Sequence, residues 1–92
     1  MIRLTGHIQV PADRLTAVRS ALADHIRLTR AEPGNLTFSV IEHPTISGRF
    51  DVAETFLDRA AFDAHQTRSA QSDWAKITQG IPRDYQIEEI AD

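Results

Sequence analysis

Arg49-Phe50-Asp51-Val52-Ala53-Glu54-Thr55-Phe56-Leu57-Asp58 is the stretch on which the fold turns. Phe50, Val52, Glu54 and Phe56 fall on one side of a two-residue period, the pattern of a strand with one buried face. The period then changes. Asp58 is placed as an N-cap, its carboxylate able to accept from the first free amides of a helix running to about Arg68. A strand therefore feeds directly into a helix, and one of the strand's inward positions carries a carboxylate.

Working upstream, His43-Pro44-Thr45-Ile46-Ser47-Gly48 reads as a turn, preceded by a second alternating run with Leu36, Phe38 and Val40 inward. Glu32-Pro33-Gly34 is a helix stop, because proline disfavours helix at the residue before it and glycine permits a reversal. Before it, from Ala12 to about Arg30, Leu15, Val18, Leu22, Ile26 and Thr29 recur at three- and four-residue steps, an amphipathic helix. Residues 2–10 alternate again, with Ile2, Leu4, Ile8 and Val10 inward, and Pro11 ends that strand. Downstream, a short helical segment holds Trp74 and Ile77 and ends at Gly80. A last strand from about Arg83 to Ile90 places Tyr85 and Ile87 on one face.

The resulting order, β-α-β-β-α-β with the second helix broken in two, predicts an α+β ferredoxin-like domain over residues 1–92. Its four antiparallel strands carry both helices on one face. The uncovered face, with Arg3, Thr5, His7, Thr37, Ser39, Ile41, Ala53, Thr55 and Gln86, is polar to small and suits either solvent or a second chain.

Composition narrows the function. The 92 residues carry a net charge of −3, with 41% hydrophobic and 25% charged residues, ordinary globular values without the basic stripe of a nucleic-acid binder. The chain has no cysteine, which removes disulfides, thiolate nucleophiles and cysteine-based metal sites. The four histidines lack the HxH or HExxH spacing that places two ligands on one metal, so no metal is expected. Met1 leads straight into a strand and no apolar run approaches the roughly 18–20 residues of a membrane span. The expectation is a soluble cytoplasmic protein with neither membrane nor nucleic acid as a partner.

The chemistry must lie in residues that break the pattern. An ionised Glu54 among Phe50, Val52 and Phe56 is costly unless paired, so it needs a partner or a raised pKa. His65 follows Phe62 by three residues and Ala61 by four, on the inward stripe of the second helix. His25 sits beside Leu22 and Ile26 on the stripe of the first. The three polar groups can meet between helices and sheet, with Trp74 and Tyr85 near the rim, in the kind of apolar cavity that binds a small molecule. Glu54 orienting His65 would make a general base near neutral pH, while the same pair would also serve simply to tie helix to sheet. His7 points to the opposite face and His43 lies in a turn.

Two stretches carry a resemblance. Thr29-Arg30-Ala31-Glu32-Pro33-Gly34-Asn35-Leu36-Thr37-Phe38 resembles the "TR-x-EPG-x-L" segment of the antibiotic biosynthesis monooxygenase family. The run from Arg49 through Glu54, Phe56, Asp58 and Ala61 to His65 is similar to that family's strand–helix signature, a Glu followed eleven residues later by a His. The resemblance implies the dimeric α+β barrel, in which open sheet faces of two chains pack together, hence a homodimer. It also implies oxidation of a small quinol-like or polycyclic phenolic substrate by O2 with no cofactor. His65 and Glu54 would be catalytic, and His25, Trp74, Tyr85 and Phe56 would contact the substrate. Ala70 stands where many relatives have a second histidine, and Phe56 where the family usually has Trp. His7, His65 and Ala75 replace the Asn, Trp and His of the haem-degrading branch, which this chain does not match. A non-oxidative isomerase on the same scaffold and a non-catalytic ligand-binding dimer stay open as alternatives.

Overall fold

The computed structural model describes residues 1–91, and its sheet orders the four strands β2-β3-β1-β4 with every neighbouring pair antiparallel. The strands are β1 (Ile2–Gln9), β2 (Asn35–Glu42), β3 (Arg49–Phe56) and β4 (Arg83–Glu89). The helices are α1 (Leu15–Arg30), α2 (Arg59–Ala70) and α3 (Asp73–Ile77). The first helix starts later than its apolar period suggests. Ala12–Arg14 form a 3-10 turn after Pro11, and regular α-helix begins at Leu15. Arg14 then reaches across to the Gln79 carbonyl at 2.8 Å and to the Ile77 carbonyl, tying the start of α1 to the end of α3.

The alternating residues read from the sequence form the core. Ile2, Leu4, Ile8, Phe38, Val40, Phe50, Val52 and Phe56 are buried beneath Val18 of α1 and Phe62 of α2. Asp58 caps α2 as expected, its Oδ1 accepting from the Ala61 amide at 2.8 Å.

Two inward assignments fail for separate reasons. Leu36 is exposed because the β2–β3 register shifts between Asn35 and Thr37 and takes Leu36 out of the pairing. Ile87 lies opposite Leu4 as expected, yet is 49% exposed, because β4 is the edge strand on that side and the helices do not cover it.

The loop after α1 sits against α2. Leu57 donates its backbone amide to the Gly34 carbonyl at 2.9 Å, and a Cβ on Gly34 would overlap the Cβ of Ala61. Glycine is what lets this loop touch the helix. On the other sheet face, the Thr37 and Thr55 hydroxyls meet at 2.6 Å across β2 and β3. Among the described residues no helix is long and apolar enough to cross a membrane.

Candidate functional site

The sheet places Glu54 in a row between Phe38 of β2 and Leu4 of β1, and the next row runs Val40, Val52, Gly6, Tyr85. These two rows floor a cavity of about 500 Å³ whose walls come from α1, α2 and the α3–β4 segment. That volume lies within the range of small-molecule sites. Glu54, His65, His25, Trp74 and Tyr85 all line it, so the structure brings together five of the six residues singled out above.

His65 is 4% exposed on the inner side of α2, and its Nδ1 is 2.9 Å from Oε1 of Glu32. The other Glu32 oxygen takes the Arg68 Nε at 2.6 Å, and Arg68 also donates to Thr29 Oγ1 at 2.9 Å. A carboxylate held by an arginine accepts, so the imidazole proton belongs on Nδ1 and the lone pair on Nε2. Nε2 faces Glu54, whose Oε1 stands 3.8 Å away, beyond hydrogen-bond distance. The histidine is thus oriented by Glu32 and merely neighboured by Glu54, a correction to the pairing read from the sequence.

Burial is the dominant influence on both groups. It pushes the Glu54 carboxyl up from 4.5 to about 7, with the negative charge of Glu32 adding to the rise. It lowers His65 below the usual histidine value, although the Glu32 charge and hydrogen bond pull the other way. Near neutral pH the site therefore holds a neutral imidazole beside a carboxyl group close to its midpoint.

His25 lies on the opposite wall. Its ring stacks on Trp74 at 4.6 Å between centroids with 4° between planes, and meets the Phe38 ring edge-on at 5.3 Å. Its Nδ1 is buried with no hydrogen-bond partner, an arrangement that typically costs about 1–3 kcal/mol. Burial, followed by the charges of Arg68, His65 and Arg83, lowers its pKa to about 3, so it is neutral near physiological pH. Beyond the His25–Trp74 pair lies a second cavity of about 600 Å³ between α1 and α3, so these two rings form a shared wall.

Tyr85 is half-buried at the mouth, opposite Gly6. Gly6 has φ +153, and a Cβ there would press on the Tyr85 ring at 2.8 Å. Phe56 is the residue that the structure leaves off the cavity wall. It is fully buried behind the site, packing on His65 at 4.8 Å and on Phe62 at 5.6 Å. Among the described residues no group of three or more His, Asp or Glu is arranged to hold a metal ion.

Sequence reading placed Glu32 in a helix stop and in the family-like segment but gave it no part in the site. The available signal was Arg68, a cation three residues from an inward histidine on the same helix, which calls for an anion nearby. Arg83 was missed as well; it lines the cavity from β4, held by a 2.8 Å hydrogen bond to Thr78 Oγ1.

The sequence pattern of one family, described as antibiotic biosynthesis monooxygenase, matches residues 1–77. The matched segment contains Glu32, Glu54, His65, His25 and Trp74 and ends before Arg83 and Tyr85. Among solved structures, a candidate antibiotic biosynthesis monooxygenase from Nitrosomonas europaea superposes with a TM-score of 0.81 at 21% identity, covering 97% of each chain. A similarly described protein from Deinococcus radiodurans gives 0.78 at 19% identity, over 100% of this chain and 94% of that one. A protein of unknown function from Bacteroides thetaiotaomicron, described as a possible oxidoreductase, gives 0.76 at 20% identity over 95% and 92%. No curated protein matches.

Proposed function

The chain belongs to the antibiotic biosynthesis monooxygenase family, and on that premise we propose that it oxidises a quinol-like or polycyclic phenolic small molecule with O2, using His65 as the base. The observation that supports this reading is the state of His65. Its Nδ1 is tied to Glu32 at 2.9 Å, and its unprotonated Nε2 lies on a cavity of mixed polar and apolar lining beside Glu54.

The chemistry asks little more of the protein. Nε2 takes the proton of an acidic phenol bound in the cavity, and the imidazolium formed is stabilised by Glu32 on one side and, where it is ionised, by Glu54 on the other. The phenolate passes one electron to O2, and the resulting radical and superoxide join in a C–O bond at a ring carbon that bears hydrogen. His65 returns its proton to the peroxide. Loss of water, taking that carbon's hydrogen, leaves one oxygen atom as a quinone carbonyl and releases the other as water. Electrons come from the substrate itself, so this reading requires no redox cofactor. His25, Trp74 and Tyr85 serve as walls that position the ring. Phe56 acts only from behind, by packing on His65.

The reading includes a homodimer through the open sheet face, where Ile41 is 63% exposed among Thr5, Ser39, Thr37 and Thr55. Sedimentation at micromolar concentration is expected to give twice the chain mass.

The deciding experiment is oxygen uptake with a panel of hydroquinones and anthrones, comparing wild type with His65→Ala. A fall of about 100-fold or more in the variant is expected. Wild-type uptake that the substitution leaves unchanged removes His65 from the mechanism, and no uptake with any member of the panel removes the oxygenase reading.

A further inference from the structure

We infer that Glu54 works in this site as a neutral carboxylic acid, donating a hydrogen bond to the same substrate oxygen whose proton His65 removes. The inference rests on the proposal above that this cavity is the substrate site.

The first ground is access. Glu54 is 5% exposed, yet its carboxyl oxygens have no hydrogen-bond partner among the described residues and keep accessible surface on the cavity. Nε2 of His65 is in the same condition, whereas Nδ1 of His25 is sealed. A buried carboxyl left unpaired on a cavity is completed by what enters the cavity.

The second ground is spacing. Oε1 of Glu54 and Nε2 of His65 are 3.8 Å apart, too far to bond each other. One oxygen atom between them can lie about 2.8 Å from both. A phenolic or enolic hydroxyl in that place gives its hydrogen to Nε2, because the Glu32 contact leaves a lone pair there. Its oxygen then presents lone pairs to Glu54, and only the protonated carboxyl has a hydrogen to offer them. When the O–H bond breaks, its proton goes to Nε2 and its electron pair stays on the oxygen. The Glu54 proton remains on the carboxyl and is donated to that oxyanion in a charge-assisted hydrogen bond. A carboxylate in the same place would repel the new charge.

The surroundings favour the neutral form. The charged and titratable groups packed around Glu54 are His25 from α1, Glu32 from the loop after it, His65 and Arg68 from α2, and Tyr85 and Arg83 from β4. Arg68 is engaged by Glu32 and Thr29, and Arg83 by Thr78, so no guanidinium holds the Glu54 carboxyl ionised. Burial first, and then the Glu32 charge, place its pKa at about 7. A carboxylic acid kept neutral by burial is an effective donor to a developing oxyanion.

4-Nitrophenol reads this step without turnover, since its anion absorbs in the visible and its nitro group makes the ring a poor electron donor to O2. At pH 6 the free probe is largely neutral. Wild type is expected to show the bound anion there, and His65→Ala to show none. Glu54→Gln, an amide donor at every pH, is expected to keep the anion band and the affinity. Glu54→Met, which has no donor, is expected to bind about tenfold more weakly. Between pH 6 and pH 8 wild type is expected to lose about tenfold more affinity than Glu54→Gln, because only wild type must regain a proton at a group with a pKa of about 7. A merely structural role would weaken the two Glu54 variants alike and leave wild type and Glu54→Gln with parallel pH dependence. Either result overturns the inference while sparing the substrate-site reading. Absence of the anion band in wild type, or its survival in His65→Ala, overturns both.

Discussion

Nδ1 of His65 lies 2.9 Å from Oε1 of Glu32, across 33 residues of chain, and Arg68 closes on the same carboxylate at 2.6 Å. Glu32 belongs to the loop that stops α1, and the other two residues belong to α2. A single carboxylate therefore fixes the imidazole tautomer and anchors the loop to the helix. It also places the negative charge on the nitrogen remote from the cavity, which keeps Nε2 free for a ligand.

Replacing Glu32 separates these two duties. Glu32→Gln still accepts from Nδ1 but no longer carries the charge that stabilises an imidazolium, so oxygen uptake is expected to fall about 10- to 100-fold with the fold retained. Glu32→Ala leaves Arg68 and His65 without their acceptor. It is expected to cost about 2–3 kcal/mol in urea unfolding as well. Unchanged activity in both variants would show that His65 needs no orientation from this side.

The element order was legible in the sequence because each strand keeps period two and each helix its 3.6-residue stripe. The sequence also identified Glu54 and His65 as misfits and placed them in one interior. It could not choose the partner of His65. Periodicity reports which face a residue occupies, whereas the reach of Glu32 from a loop depends on how closely that loop approaches α2. Leu36 was misread for a related reason, since a bulge changes register without leaving a mark in an alternating pattern. Phe56 shared the correct face but lies one layer behind the cavity, a depth that the pattern does not encode.

Glu54 makes stability fall on the alkaline side. Its folded pKa of about 7 lies above the unfolded value of 4.5, because burial and then the Glu32 charge disfavour its ionised form. The folded state thus holds a proton that the unfolded state has released, so the advantage is full below 4.5 and is lost as pH rises through about 7. Glu54→Gln cannot ionise. Its urea stability relative to wild type is expected to improve by about 2–3 kcal/mol between pH 4.5 and pH 8. A difference between the two proteins that does not change with pH would mean that Glu54 is better solvated than its surroundings imply.

His25 acts on the acid side with the opposite sign. Its folded pKa of about 3 lies below the unfolded value of 6.5, so its contribution is fully present above 6.5 and drains away as pH falls towards 3. The cause is burial first, then the charges of Arg68, His65 and Arg83. His25→Phe keeps the stack on Trp74 and removes the titration. It is expected to flatten the loss of stability between pH 6.5 and pH 4, by about 2–3 kcal/mol at pH 4, relative to wild type. Parallel acid unfolding of the two proteins would show that His65 and the carboxylates alone set the acid limit.

Gly34 and Ala61 provide the last test, because they control how closely the Glu32 loop approaches α2. A Cβ on Gly34 would overlap that of Ala61, so Gly34→Ala must push the loop outward. The expected cost is about 1–3 kcal/mol. The displacement also moves Glu32 relative to His65, so activity is expected to drop with stability. Adding Ala61→Gly to the first substitution reopens the space at a helix-propensity cost of about 1 kcal/mol. The double variant is therefore expected to recover activity more completely than stability, with a coupling energy above about 0.5 kcal/mol in the cycle. Additive losses would mean that the loop yields without disturbing the Glu32–His65 contact, and the position of the carboxylate would then depend on Arg68 alone.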